Sequence, residues 1–557
     1  MIHISTLILS LFFFSHHEIH ASEQRKHATV RIGSELSTHE QEWIATRKCS
    51  VKNTLEQLLA LKLADDEVPT IALCLSGGGY RAMIATLGLL QGACTPPKTR
   101  SAITNVAHII AAWFYHTPAP LPLHLPIHTT CEQAGEPTTA PTIFDTVSYC
   151  TSLSGSTWTL SSWLYSHMSL DAYCARLATN IEKSLLENID FTALSNTLAH
   201  KHAYHQPLSL VDTYGSLLAQ KLLYGFGTNP YDTVLTKQQE YAGSMPFLIY
   251  STVIGESAPQ YQWAECTPYE IGSTYLNAWI PTWAFNRTFT NGISTNNAPE
   301  QPLSFLLGVW GSAMCMTAQE FVELIKPHVQ QEIINLEHDE QAFVHGLEST
   351  ITSLVHIPTT IPPHTKNIFT TQRLSPARVY NWTFKSPDLP LHTHETITLV
   401  DAGIDFRIPT PPLLQKERHV DIIIVMDASD RPLSTELHLA QAYAQQYQLP
   451  FPAINYQIAS HPFSVHGVGN THGAPIIIYM PLVQNPKYHN GWDPRAAAFT
   501  STYNFKYTKE QTYLLAGLTK YTMIEHHQDI LGVIKEWITK KRYSSNPYKC
   551  VTSSEVK

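Results

Sequence analysis

Three short stretches hold residue types that could do chemistry. The first is SGGGYRAM at 76–83, which follows the apolar run IALCL. A strand that ends in glycines and restarts as a helix bares backbone N–H groups at the helix N-terminus. Glycine allows positive φ and close approach of a ligand. Those N–H groups and the helix dipole favour negative charge. The stretch suits a phosphate cradle, an oxyanion hole or a plain tight turn. It is neither GxGxxG nor GxxxxGK[ST], so both nucleotide motifs fail.

The second stretch is SLSGS at 152–156, in the context FDTVSYCTSLSGSTWTLSSWL. A β-branched run leads to Ser154, with small residues, Ser152 and Ser156, two positions to either side. This is the shape of a nucleophile elbow, although the usual elbow has glycine at both those positions. A serine N-cap of an ordinary helix fits as well. The third stretch is LVDAG at 399–403. Asp401 ends a buried strand beside a glycine turn, where α/β folds place active-site residues. It could accept a proton from serine, or form an Asx turn.

The elements that must position these residues alternate. VKNTLEQLLALKL (51–63) and RAMIATLGLLQGA (81–93) have helical spacing. VPTIALCL, TITLV (396–400), VDIIIVM (420–426) and PIIIYMPLV (475–483) read as strands. Helices are expected over 434–447 and roughly 509–541. Such alternation predicts a layered α/β domain with a largely parallel sheet. Residues 296–395 break the rhythm and are a candidate cap; Trp310 and Trp382 within it are expected to pack in the core. Residues 22–50 read as a polar lead-in and 546–557 as a tail.

Composition narrows the class. The 557-residue chain is 43% hydrophobic and carries a net charge of −9, with no Lys/Arg run, so nucleic acid is not an expected partner. The 29 histidines are scattered, without HExxH or paired CxxC, so no metal is expected. Residues 1–21 hold a short apolar core and Ala21 at a possible cleavage site, which predicts a secretory signal and a secreted or extracytoplasmic protein. Nine cysteines make no dense disulfide framework. Sequons stand at Asn286 and Asn381.

Together the three stretches resemble the catalytic domain of cytosolic (group IV) phospholipase A2 and its fungal lysophospholipase B relatives. VDTYGSLLAQKLL (211–223), TPYEIGS (267–273), FLLGVWGSA (305–313) and FTSTYNFKY (499–507) add to the resemblance, which spans roughly 50–541. It implies a patatin-like α/β/α domain with a cap, over 51–545. It implies Ser154 as nucleophile and Asp401 as general base, with no catalytic histidine. Gly77 and Gly78 would supply oxyanion donors, and Arg81 would hold a substrate phosphate or steady the site. The substrate would be a phospholipid or lysophospholipid at a membrane or micelle surface, cleaved through an acyl-serine. No cofactor is implied. Only about 50 residues precede the catalytic region, so the calcium-dependent targeting domain of animal members is expected to be missing and activity calcium-independent. Two positions depart from the family: Ser152 replaces a glycine, and Ala402 often a serine. Two rivals remain. One is a Ser–His–Asp hydrolase using His461, His466 or His472; the other is a lipid-binding relative without activity.

Overall fold

The computed structural model describes residues 27–97, 140–185, 187, 190–225, 233–255, 260–312, 376–469, 473–502 and 504–545. Six strands position the site: β1 (Ile71–Leu75), β2 (Tyr149–Leu153), β3 (Phe247–Ile254), β4 (Thr396–Asp401), β5 (Ile422–Asp427) and β6 (Ile476–Pro481). In space β3, β2, β1, β5 and β6 lie side by side and run parallel. Every residue of these five strands is buried. Continuous apolar runs such as IALCL and IIIVM are what a strand covered on both faces requires. The layered α/β fold with a parallel central sheet is therefore as expected. An antiparallel arm extends it beyond β3, through 262–266, 270–273 and 278–281 to 31–32.

The register brings two strand ends together. The pairing of β2 with β3 ends at Leu153 opposite Ser251. Strand 262–266 holds the other side of β3 from Tyr250 to Ile254. β4 therefore joins β3 on the β2 side, antiparallel, with Asp401 opposite Thr252. Ser251 and Thr252 are neighbours, about 3.3 Å apart along a strand. The ends of β2 and β4 thus meet head-on over β3.

Helix α1 (Gly79–Ala93) follows β1 after the three residues 76–78, and α2 (Gly155–Ser166) follows β2 after Ser154 alone. Both are buried along their whole length. The expected last helix divides at His526 into α3 (Lys509–Glu525) and a second helix, His527–Ser545. α1 packs against α3 so closely that a Cβ at Gly88 would stand 1.9 Å from the Ala516 carbonyl. The lead-in is more structured than its polarity suggested. Residues 31–32 pair with the sheet, and a helix runs from Thr38 to Leu59 with Trp43 and Arg47 buried. Ser37 caps it by accepting the Glu40 N–H at 3.1 Å.

Trp310 and Trp382 are fully buried, as expected of core residues. The expected cap falls largely on 313–375, outside the described residues, as do the signal expected over 1–21 and the tail 546–557. Both sequon asparagines are fully buried. Asn286 accepts the Tyr380 N–H at 3.0 Å, and Asn381 donates to the Leu391 carbonyl at 2.8 Å. Among the described residues no helix is long and apolar enough to cross a membrane, and no cluster of three His, Cys, Asp or Glu could hold a metal.

Candidate active site

Ser154 stands between β2 and α2 at φ 52°, ψ −123°. A non-glycine residue reaches positive φ at a cost of order 1–3 kcal/mol, and the surroundings must enforce it. Here they do. A Cβ at Gly155 would lie 2.0 Å from the Gly79 carbonyl, so only glycine lets α2 start against the glycine loop. The Ser156 hydroxyl is 2.6 Å from that of Thr86 and also donates to the Ser76 carbonyl. The elbow and the glycine loop are thereby tied.

The loop itself needs its glycines. Gly78 has φ 143° and Gly79 φ 62°, and a Cβ on Gly79 would be 2.4 Å from the Thr502 carbonyl. The Gly77 N–H donates to the Arg407 carbonyl at 2.9 Å. Among the described residues, no hydrogen bond engages the N–H of Gly78 or of Gly79. The unengaged donors at the start of α1 are thus one residue further along than the pair Gly77 and Gly78 expected from sequence.

Asp401 is fully buried at the end of β4. Its Oδ1 accepts the Gly403 N–H at 2.8 Å, and its own N–H donates to Ser312 Oγ at 3.2 Å. With Ala402 lacking a hydroxyl, backbone supplies the bond that orients this carboxylate. Ser154, Asp401, Gly77, Gly78 and Gly79 line one cavity of about 230 Å³. Trp158, Tyr214 and Phe505 give it an apolar side, while Arg407 and Arg431 give it a cationic one. Trp158, Tyr214 and Phe505 all fall inside stretches singled out in the sequence, but nothing there assigned them a place. The two arginines had no signal beyond their proximity to Asp401 and β5.

Arg81 does not line the cavity. Its guanidinium donates to the Ala428 carbonyl at 2.7 Å, the Thr500 carbonyl at 2.6 Å and Thr502 Oγ1 at 3.1 Å. It is buried and ties α1 to the loops after β5 and before α3. Asp430 lies 3.9 Å from it, pairs with Arg407 and accepts the Thr502 hydroxyl at 2.6 Å. Burial opposes ionisation of Asp430, but Thr502, Arg407 and Arg81 outweigh it and hold its carboxyl down at about 2.

Among the described residues no histidine lines the cavity. His466 is buried between Asn455 N–H at 3.2 Å and Ser464 Oγ at 3.0 Å. His461 is exposed, and His472 lies outside the described residues.

Comparison with known proteins places these features in context. The family model for the lysophospholipase catalytic domain matches residues 131–495. Human cytosolic phospholipase A2 zeta is 25% identical over 89% of this chain and 60% of its own length. Human cytosolic phospholipase A2 beta is 23% identical over 92% of this chain and 67% of its own. Among solved structures, human GIVD cytosolic phospholipase A2 superposes with a TM-score of 0.66 at 21% identity, covering 92% of this chain and 66% of that one. Its complex with methyl gamma-linolenyl fluorophosphonate gives 0.63 at 20% identity, covering 94% and 67%. This chain thus spans about 60% of the length of the zeta relative. The relatives correct one expectation: they are cytosolic phospholipases, and the secreted or extracytoplasmic location read from the apolar leader does not stand.

Proposed function

This chain belongs to the lysophospholipase catalytic domain family, and on that premise we propose that it is a carboxylic ester hydrolase removing fatty-acyl chains from phospholipids or lysophospholipids. The observation that carries the reading is Ser154, held at positive φ on a cavity it shares with the buried Asp401 and with the unengaged N–H groups of Gly78 and Gly79.

The chemistry follows from these groups. Ser154 Oγ attacks the ester carbonyl as its proton passes to the Asp401 carboxylate. The tetrahedral oxyanion forms against the Gly78 and Gly79 N–H groups, at the positive end of α1. Collapse expels the glyceryl alkoxide, which takes the proton from Asp401. Water, deprotonated by Asp401, then cleaves the acyl-serine and restores the enzyme. Gly77 acts differently: its N–H, bound to the Arg407 carbonyl, holds the loop in place. Arg81 steadies the same loop from beneath. That no histidine among the described residues lines the cavity favours the Ser–Asp dyad over a Ser–His–Asp triad.

The test is fatty-acid release from phosphatidylcholine and from lysophosphatidylcholine. Wild type is expected to release it, and Ser154→Ala and Asp401→Asn to lose roughly 10³-fold or more while keeping their melting temperature. Full activity in folded Ser154→Ala would refute the assignment. The ratio of the two rates separates phospholipase from lysophospholipase.

A further inference from the structure

We infer that Arg431 and Arg407 form the subsite that holds the phosphodiester of the substrate, with Asp430 as their resident counter-ion. The inference rests on the phospholipase reading above and names the group that recognises the headgroup side.

A phosphodiester beside the scissile ester calls for charged donors on the same cavity as Ser154. Arg81 is the sequence's choice, but its N–H groups already serve Ala428, Thr500 and Thr502, and it does not line the cavity. Arg407 and Arg431 do line it. Among the described residues the guanidinium contacts of Arg431 are all long: 3.4 Å to Glu436 Oε1, 3.4 Å to the Asp405 carbonyl and 3.5 Å to the Gly403 carbonyl. Charge-assisted bonds of arginine normally close to about 2.7–2.9 Å, and a guanidinium carries five N–H donors. Arg431 therefore has capacity for a further acceptor.

Arg407 is paired, but with a partner that can be displaced. Its carboxylate neighbour Asp430 is 44% exposed, whereas Glu436 behind Arg431 is fully buried. Asp430 also keeps the Thr502 hydroxyl if Arg407 turns to a ligand. Arg81, Arg407 and Arg431 stand against Asp430 and Glu436. The apolar side of the cavity, Trp158, Tyr214 and Phe505, faces the other need of an amphiphile.

The experiment compares two substrates with the same acyl ester, palmitoyl lysophosphatidylcholine and palmitoylglycerol, which lacks the phosphate. The readout is the ratio of their kcat/KM values. Arg431→Gln is expected to lower that ratio about tenfold or more. Arg431→Lys is expected to recover only part of it, because an ammonium cannot fork onto a phosphate. An unchanged ratio in Arg431→Gln overturns the proposal. Binding of the same two lipids below their micelle concentrations to Ser154→Ala, with and without Arg431→Gln or Arg431→Lys, reads the subsite without turnover. A tenfold weaker hold on lysophosphatidylcholine alone supports it, and equal weakening of both lipids, or of neither, overturns it. If the wild type hydrolyses neither of these lipids nor phosphatidylcholine, the ester-hydrolase reading fails while this binding comparison still decides the subsite. Inorganic phosphate separates the two sources of the same chemistry. If it binds as tightly as lysophosphatidylcholine, the site takes free phosphate and the headgroup assignment is overturned.

Discussion

Ser154 has a backbone conformation that serine adopts only when its neighbours insist. Gly155, Gly79 and the Ser156 hydroxyl supply that insistence, and each was visible as part of a motif. Ser152 is a different case. The usual elbow has glycine at this position, where neighbours of the nucleophile must be small. In the structure it sits inside β2, opposite Leu75 on one side and Tyr250 on the other, and its buried hydroxyl has no partner among the described residues. Its cost is thus desolvation. Ser152→Ala is expected to raise the unfolding free energy by about 1 kcal/mol, and Ser152→Gly, which restores the family residue, to fall roughly 0.5–1 kcal/mol below Ser152→Ala through added chain freedom. Urea unfolding of the two variants beside wild type measures both differences. A loss of stability in Ser152→Ala would mean that the hydroxyl does have a partner.

At the scale of elements, the glycine loop is held from two strands away. Glu436, at the start of helix Thr435–Gln446, accepts the Arg407 N–H at 2.6 Å, and the Arg407 carbonyl accepts the Gly77 N–H at 2.9 Å. Burial, reinforced by Asp427, pushes the Glu436 carboxyl up to about 7. An unfolded glutamate titrates near 4.3. Between those values the folded protein holds a proton that the unfolded chain releases, so this group makes stability fall as pH rises from about 4.5 to about 7. Glu436→Gln should flatten that slope when unfolding is followed across pH 5 to 8; an identical slope would remove Glu436 as its source. None of this relay was legible in the sequence. The strands and their order of types were, because buried parallel strands announce themselves as apolar runs. The approach of β4 was not. Asp401 looked like the end of one more parallel strand, yet β4 is antiparallel and meets β2 only because β3 outlasts its pairing with β2.

Over the whole molecule, the N-terminal helix is fastened by charge as well as by Trp43. Arg418 is buried between Glu40 of helix Thr38–Leu59 and Glu265 of the antiparallel arm, at 2.8 and 2.7 Å. Removing one member of such a set leaves buried charge uncompensated, at about 3–5 kcal/mol. Arg418→Met should therefore unfold at markedly lower denaturant, while Arg418→Met with Glu40→Gln and Glu265→Gln recovers part of the loss. A silent Arg418→Met would show that the carboxylates find water instead. Polarity alone made residues 22–50 look like a loose lead-in. The anchoring residues lie more than two hundred positions away, where a local pattern cannot reach. The site was more legible than this frame, because its residues cluster in short motifs, whereas Arg407, Arg431 and Arg418 owe their places to the fold.

The central claim is that Ser154 is the nucleophile and Asp401 its base. The most direct test is to treat the protein with a long-chain fluorophosphonate and map the adduct by mass spectrometry. The account predicts a single adduct, on Ser154, absent from Ser154→Ala, strongly slowed in Asp401→Asn and undiminished in His461→Ala, His466→Ala and His472→Ala. An adduct on another residue, or labelling abolished by one of the histidine substitutions, would contradict it.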